Sequence, residues 1–447
     1  MSTIASRSRH ACSARARQRG QAAFLVVVLV AGSAALLVYG MLDTTSAALR
    51  RDRDVAAALA QAKQALIGRA VADDSRPGSL PCPDFDDGSI NPINVANDGV
   101  ADVFAGVDCP SYMGRLPWQT LGLPDLRDDA GERLWYALSN NFRDDMSAGP
   151  LNSDTQGNRT VHRDSTAVTL TTKAVAVILA PGAILSGQIR DGTTAPCPTT
   201  GTSIARILCA ANYLDATGGA NNAQLGGVGP FIAAQRSATF NDRLLVITTA
   251  DLMPPVEQRV ARELRTILQN YKARTGCCSN FGGTTGCYPW ADLSNGESDA
   301  YPPNPGSERN RGRIPINLAA PYDWGTNPCG TGALPSMPSW FLNNNWHAVV
   351  YYSAARNFLG SPVTGEPCGT CVSSMLTVTG DPSPAKEVVL LMPGPNLGAS
   401  PRAPVSLSDS TYWTYYLEDT ANKDFADDSY VIPTSSAYTR DRIFTLP

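Results

Sequence analysis

The chain has 447 residues, 43% of them hydrophobic, with 38 Gly, 33 Pro and a formal net charge of −4. That is length enough for two or three domains with sizeable cores, joined by many turns and long loops. Taking Arg7, Arg9, Arg15, Arg17 and Arg19 out of the balance leaves −9 on the rest, which excludes nucleic acid as the main partner because phosphate binding needs a net basic face.

Residues 1–20 form a basic leader without an acid. From Gln21 to Leu42 no charged residue occurs, and about 20 helical residues reach roughly 30 Å, the thickness of a bilayer core. Arginines ahead of such a run stay cytoplasmic. The expectation is a single-pass inner-membrane protein with its C-terminal bulk in the periplasm or on a surface fibre. A signal peptide cut near Thr45-Ser46-Ala47-Ala48 is the alternative. The helical pattern continues past Arg50–Asp54, where Val55, Leu59, Ala62, Leu66 and Ala70 form one apolar stripe. This predicts a transmembrane and stem helix over 21–72.

A basic leader ending in Arg19-Gly20, followed at once by an apolar helix that runs into a globular body, resembles the type IV pilin and type II secretion pseudopilin family. The resemblance implies cleavage by a prepilin peptidase between Gly20 and Gln21, and methylation of the new terminus. It also implies packing against the stems of other pilins or pseudopilins. The mature chain would start at Gln21 instead of Phe or Met, with Leu25 where the family carries Glu; minor, tip-type subunits share that lack.

Next come Asp84-Phe85-Asp86-Asp87-Gly88 and Asn97-Asp98-Gly99-Val100-Ala101-Asp102, between Cys82 and Cys109. Calcium takes about six to eight hard oxygens, and Asp84, Asp86, Asp87, Asp98 and Asp102 are its candidate ligands. Asp and Asn are also preferred turn formers, so a solvated acidic turn is the competing account.

Strings recur in the same order in both halves. Leu80-Pro-Cys-Pro-Asp parallels Tyr288-Pro-Trp-Ala-Asp, and Gly114-Arg-Leu-Pro parallels Gly312-Arg-Ile-Pro. Trp135-Tyr-Ala-Leu-Ser-Asn-Asn-Phe142 parallels Tyr351-Tyr-Ser-Ala-Ala-Arg-Asn-Phe358. Lys173 to Gly182 parallels Lys386 to Gly394, Tyr213-Leu-Asp parallels Tyr416-Leu-Glu, and Ser237 to Arg243 parallels Ser436 to Arg442. A second helix is signposted by Asp251, Pro254-Pro255 and Gly276, with Val256, Val260, Leu264, Ile267 and Tyr271 on one face.

The predicted organisation is therefore a leader (1–20), the stem helix (21–72), a first periplasmic domain (73–250), a linker helix (251–275) and a second domain (276–447) repeating the first. Apolar runs such as AVAVILA, EVVLLM, RLLVITT and RIFTL read as strands. The fold class is α+β: a long transmembrane stem, then two tandem helix-plus-antiparallel-sheet domains braced by disulfides.

All but Cys12 of the 11 cysteines follow the apolar run, an even set suited to an oxidising compartment. Local pairs are Cys82–Cys109, Cys197–Cys209 and Cys368–Cys371, with Cys277, Cys278, Cys287 and Cys329 pairing among themselves. His10, His162 and His347 are too few and too scattered for a zinc site or a nucleophilic triad. The sequence thus reads as a non-enzymatic minor pilin- or pseudopilin-like subunit of a periplasmic fibre. The alternative is a membrane-anchored binding module or hydrolase, with tryptophans such as Trp118, Trp135, Trp290, Trp324, Trp340, Trp346 and Trp413 stacking on sugars.

Overall fold

In a computed structural model the described residues are 49–85, 97–103, 108–164, 168–190, 209–224, 229–274, 288–289, 291, 310–316, 336–355, 358–359, 375–395, 417–423, 428–433 and 441–447. Two units are distinguished, Met1–Ala58 and Leu59–Pro447. Of the first, residues 49–58 are helical and open helix α1 (49–72). In the second, Leu59, Ala62, Leu66 and Ala70 of the predicted stripe are all buried. The helix ends where Asp73 turns the chain: its Oδ1 accepts the backbone N–H groups of Ser75 and Arg76 at 3.0 and 2.7 Å, a local bond that competes with helix continuation.

Helix α2 spans Thr249–Arg274. Asp251 reaches back to accept the backbone N–H and hydroxyl of Thr248 at 2.9 and 2.8 Å, which satisfies an orphan donor of the first turn. Val256, Val260, Leu264, Ile267 and Tyr271 are buried, as their spacing requires.

The apolar runs become the strands of two four-stranded antiparallel sheets. One holds β1 (Met113–Arg115), β2 (Trp135–Leu138), β5 (Ala176–Ala180) and β9 (Arg243–Ile247), in the order β1-β2-β5-β9. The other holds β10 (Arg311–Arg313), β11 (Tyr351–Ala354), β14 (Val388–Met392) and β16 (Arg442–Leu446), in the order β10-β11-β14-β16. The registers agree: Gly114 faces Tyr136, and Gly312 faces Tyr352. The two tyrosine hydroxyls donate to Pro81 O and Pro289 O at 3.3 and 2.8 Å. β5 and β14 are buried at every position, which is why they read as continuous apolar runs without alternation.

Each sheet has a three-stranded companion. β4 (Thr169–Ala174), β3 (Arg159–His162) and β8 (Phe231–Ile232) lie in the order β4-β3-β8, while β13 (Ala385–Lys386), β12 (Leu376–Thr379) and β15 (Ser429–Val431) lie in the order β13-β12-β15. In both, the middle strand pairs antiparallel with one neighbour and parallel with the other. Parallel pairs need long crossovers, and here the chain between the paired strands carries β4, β5 and a two-stranded ribbon in one case and β13, β14 and a short helix in the other. A two-stranded ribbon, β6 (Ala216–Thr217) with β7 (Ala220–Asn221), and the short helices α3 (Ser339–Asn343) and α4 (Thr420–Lys423) complete the described elements.

Polar contacts weld the halves. Asn344, fully buried after α3, accepts Leu151 N–H at 3.1 Å, and its carbonyl accepts Asn152 Nδ2 at 2.9 Å. Arg259 of α2 donates to Val71 O and Asp73 O at the end of α1.

Two expectations are corrected. The expected fold class led with a transmembrane stem, yet among the described residues no helix is long and apolar enough to cross a membrane. α1 carries Arg50, Arg51, Asp52, Arg53, Asp54, Lys63 and Arg69, and α2 carries Glu257, Arg259, Arg262, Glu263 and Arg265; such charges are costly in hydrocarbon. The described structure is mixed helix and sheet, with several antiparallel sheets and four α-helices. The same finding overturns the single-pass inner-membrane placement with its bulk in the periplasm. The apolar stretch 21–42 lies outside the described residues.

Candidate functional site

The acidic loop is built on the β1 edge of the first sheet. Asp84 pairs with Arg115 through both backbone groups, N–H to O at 3.0 Å and O from N–H at 2.7 Å. Gly114 permits that approach: a Cβ there would meet Asp84 O at 2.6 Å. The Cys82–Cys109 disulfide, as expected from their spacing, closes the loop.

Asp84 itself is buried, and it accepts Asn97 N–H on Oδ1 and Gly99 N–H on Oδ2, both at 2.7 Å. Burial, opposed by those two donors and assisted by the charges of Asp102 and Asp98, pushes its carboxyl up to about 7. Asp98 Oδ1 accepts Val100 N–H at 2.7 Å, and Asp102 Oδ2 accepts Phe85 N–H at 3.0 Å. Gly99, at φ +88°, lies flat against Trp118, where a Cβ would come within 2.2 Å of Nε1. Arg133 donates to Asn97 O and lies 5.9 Å from the Trp118 ring centre.

Three of the five proposed calcium ligands, Asp84, Asp98 and Asp102, are thus brought to one loop, each with carboxylate oxygen committed to a backbone donor. Asp86 and Asp87 lie outside the described residues. Among the described residues no group of three or more His, Cys, Asp or Glu is placed to hold a metal ion. The arrangement's evident chemistry is to fold the loop onto the sheet edge.

Gly20 and Gln21 of the expected processing site lie outside the described residues. So do Cys197, Cys277, Cys278, Cys287, Cys329, Cys368 and Cys371. Cys209 is disulfide-bonded. His347 is pushed down to about 4 by burial and by the Arg313 charge, so it is neutral at neutral pH. Trp135, Trp340 and Trp346 are buried and offer no face to a sugar; the Arg115 guanidinium lies 4.2 Å from the Trp135 ring centre and 4.1 Å from that of Tyr213.

Sequence reasoning missed a pair of buried clamps. Ahead of β9, Asp242 Oδ2 accepts Asp215 N–H at 2.8 Å and Asn222 Nδ2 at 2.9 Å, while Asn222 Oδ1 accepts Ile232 N–H at 2.8 Å. Ahead of β16, Asp441 accepts Glu418 N–H and Asp419 N–H at 3.1 and 3.2 Å and Asn422 Nδ2 at 3.1 Å, while Asn422 Oδ1 accepts Val431 N–H at 2.9 Å. Burial drives the Asp242 carboxyl well up, and the adjacent Asp215 charge drives it further. The signal was present in the paired strings Tyr213-Leu-Asp with Tyr416-Leu-Glu and Asp242-Arg with Asp441-Arg.

Comparison of the chain with family models, with curated proteins and with solved structures finds no match.

Proposed function

We propose that this protein is a non-enzymatic structural subunit of a pilin- or pseudopilin-like fibre, of the type II secretion or type IV pilus kind, carrying two heads in place of one. The observation behind this reading is the repeated head. A helix with one apolar stripe precedes a four-stranded antiparallel sheet twice, with the same strand order and the same Asp–Asn clamp. A helix laid over an antiparallel sheet is the head architecture that the resemblance implies. The Cys82–Cys109 disulfide suits assembly in an oxidising compartment. The partners are other pilin-like stems and a prepilin peptidase, and the subunit is a minor one.

N-terminal sequencing of the mature protein, with and without a functional prepilin peptidase, tests the reading. A chain starting at Gln21 only when the peptidase is active supports it. A peptidase-independent start, or failure to co-purify with fibre subunits after cross-linking, overturns it.

A further inference from the structure

The clamp ahead of β9 is built differently from its counterpart ahead of β16. Asp441 takes donors on both carboxylate oxygens, Glu418 N–H on Oδ1 and Asp419 N–H with Asn422 Nδ2 on Oδ2. Asp242 takes both of its donors, Asp215 N–H and Asn222 Nδ2, on Oδ2 alone. Its Oδ1 is buried and no donor reaches it, in a residue only 2% exposed. Asp242 forms no ion pair among the described residues; the charged group beside it is a second carboxylate, that of Asp215. A charged oxygen buried with neither donor nor counter-ion is costly, and a like charge alongside adds to the cost. A proton on Oδ1 removes both costs at once.

We propose that Asp242 and Asp215 hold one proton between them, carried by Asp242, and that this proton latches the first head: its loss loosens the tie that Asn222 makes to β8. The neighbours assign the proton to Asp242. Asp215 has a donor on each oxygen, Gln188 Nε2 on Oδ1 at 2.8 Å and Asn241 N–H on Oδ2 at 2.7 Å. Burial raises the Asp215 carboxyl, but those donors and the Arg190 charge pull it back; Arg190 is in turn ion-paired with Glu132 at 3.2 Å. Asp242 faces only the Asp215 charge and the neutral Asn222, and burial is the larger cause of its rise. The stability it contributes is therefore fully present below the ordinary carboxylate range and is lost as pH rises through its folded titration. Once ionised, Oδ1 needs water, and water enters only if residues 215–222 lift away from the start of β9. Asn222 carries that movement to β8, because its Oδ1 accepts Ile232 N–H at 2.8 Å and its Nδ2 also donates to Ile232 O at 3.2 Å. This inference stands apart from the fibre reading and does not need it.

Amide exchange of the full-length chain across a pH series, corrected for the intrinsic rate of each amide, tests it. The expected result is that protection of the Ile232 amide declines as pH rises, by at most about tenfold per pH unit, the limit for one proton. The Val431 amide, held by Asn422 in the second clamp, does not follow. Asp242→Asn, neutral at every pH, flattens the decline at Ile232. Asp215→Asn removes the like charge and moves the decline to lower pH. Constant protection at Ile232 overturns the proposal, and so does a decline that Val431 matches or that is equally steep in Asp242→Asn. Should Asp242→Asn fail to fold, the comparison of Ile232 with Val431 in the parent and the direction of the shift in Asp215→Asn decide the matter.

Discussion

Glu257, wholly buried in α2, is ion-paired with Arg442, the first residue of β16. Ser153 of the first half donates its hydroxyl to the other Glu257 oxygen at 2.5 Å. One carboxylate therefore joins the first half, the connecting helix and the last strand. Burial holds the Arg442 guanidinium down to about 10, so it stays charged at neutral pH. Removing one member of such a pair leaves an uncompensated buried charge, at a cost of about 3 to 5 kcal/mol. Arg442→Met and Glu257→Gln should each destabilise on that scale, and the double variant by clearly less than their sum. Urea unfolding of all four proteins measures the coupling.

The two Asp–Asn clamps share no partner, so their losses should add. Asn222→Ala and Asn422→Ala should each cost about 1 to 3 kcal/mol, because each leaves a buried backbone N–H and a carboxylate oxygen short of a bond. Hydrogen exchange separates them: the first should expose the Ile232 amide and the second the Val431 amide, with little crosstalk.

Asp84 predicts a pH dependence. Its folded carboxyl titrates near 7, above the usual value of 3.8, so between about pH 4 and 7 the folded state holds more protons than the unfolded one. Stability contributed by this group is therefore present below pH 4, falls as pH rises to 7 and is flat above. The slope is at most about 1.4 kcal/mol per pH unit. The difference in unfolding free energy between the parent and Asp84→Asn, followed across that window, should change in this sense; a constant difference would count against it.

Gly99→Ala should be strongly destabilising. Its φ of +88° disfavours a side chain, and the added methyl would lie 2.2 Å from Trp118 Nε1. A cost of about 2 to 4 kcal/mol is expected from backbone strain and overpacking together. A change in Trp118 fluorescence at low denaturant should accompany it.

Loss of the Cys82–Cys109 bridge, which spans 27 residues, should cost about 3 to 4 kcal/mol in the chain-entropy account. The Cys82→Ala, Cys109→Ala variant, compared with the parent by chemical unfolding, measures it.

Part of the fold is legible in the sequence. Val256, Val260, Leu264, Ile267 and Tyr271 showed the buried face of α2, and AVILA and VVLLM showed the inner strands, because repeat period and unbroken apolar runs report burial directly. Asp84, Asp98 and Asp102 were legible as one loop. Their use was not, since an Asp in a turn reads alike whether its oxygens take backbone donors or a metal. The membrane stem is the reverse case: it is read from the charge-free run 21–42, the arginines before it and the stripe after it, and the described helices carry too many charges to cross a membrane.

The sequence by itself determined helices α1 and α2, the apolar strands β5, β9, β14 and β16, and that two segments share an ordered set of strings. Tertiary structure alone decided that β3 and β12 each take a parallel neighbour, that Asp242 and Asp441 hold their loops through Asn222 and Asn422, and that Glu257 finds Arg442. Burying an apolar residue needs only a stripe, and a stripe is a local pattern. Burying a charged or amide group needs a specific partner, and which distant segment supplies it is settled only when the sheets and helices come together.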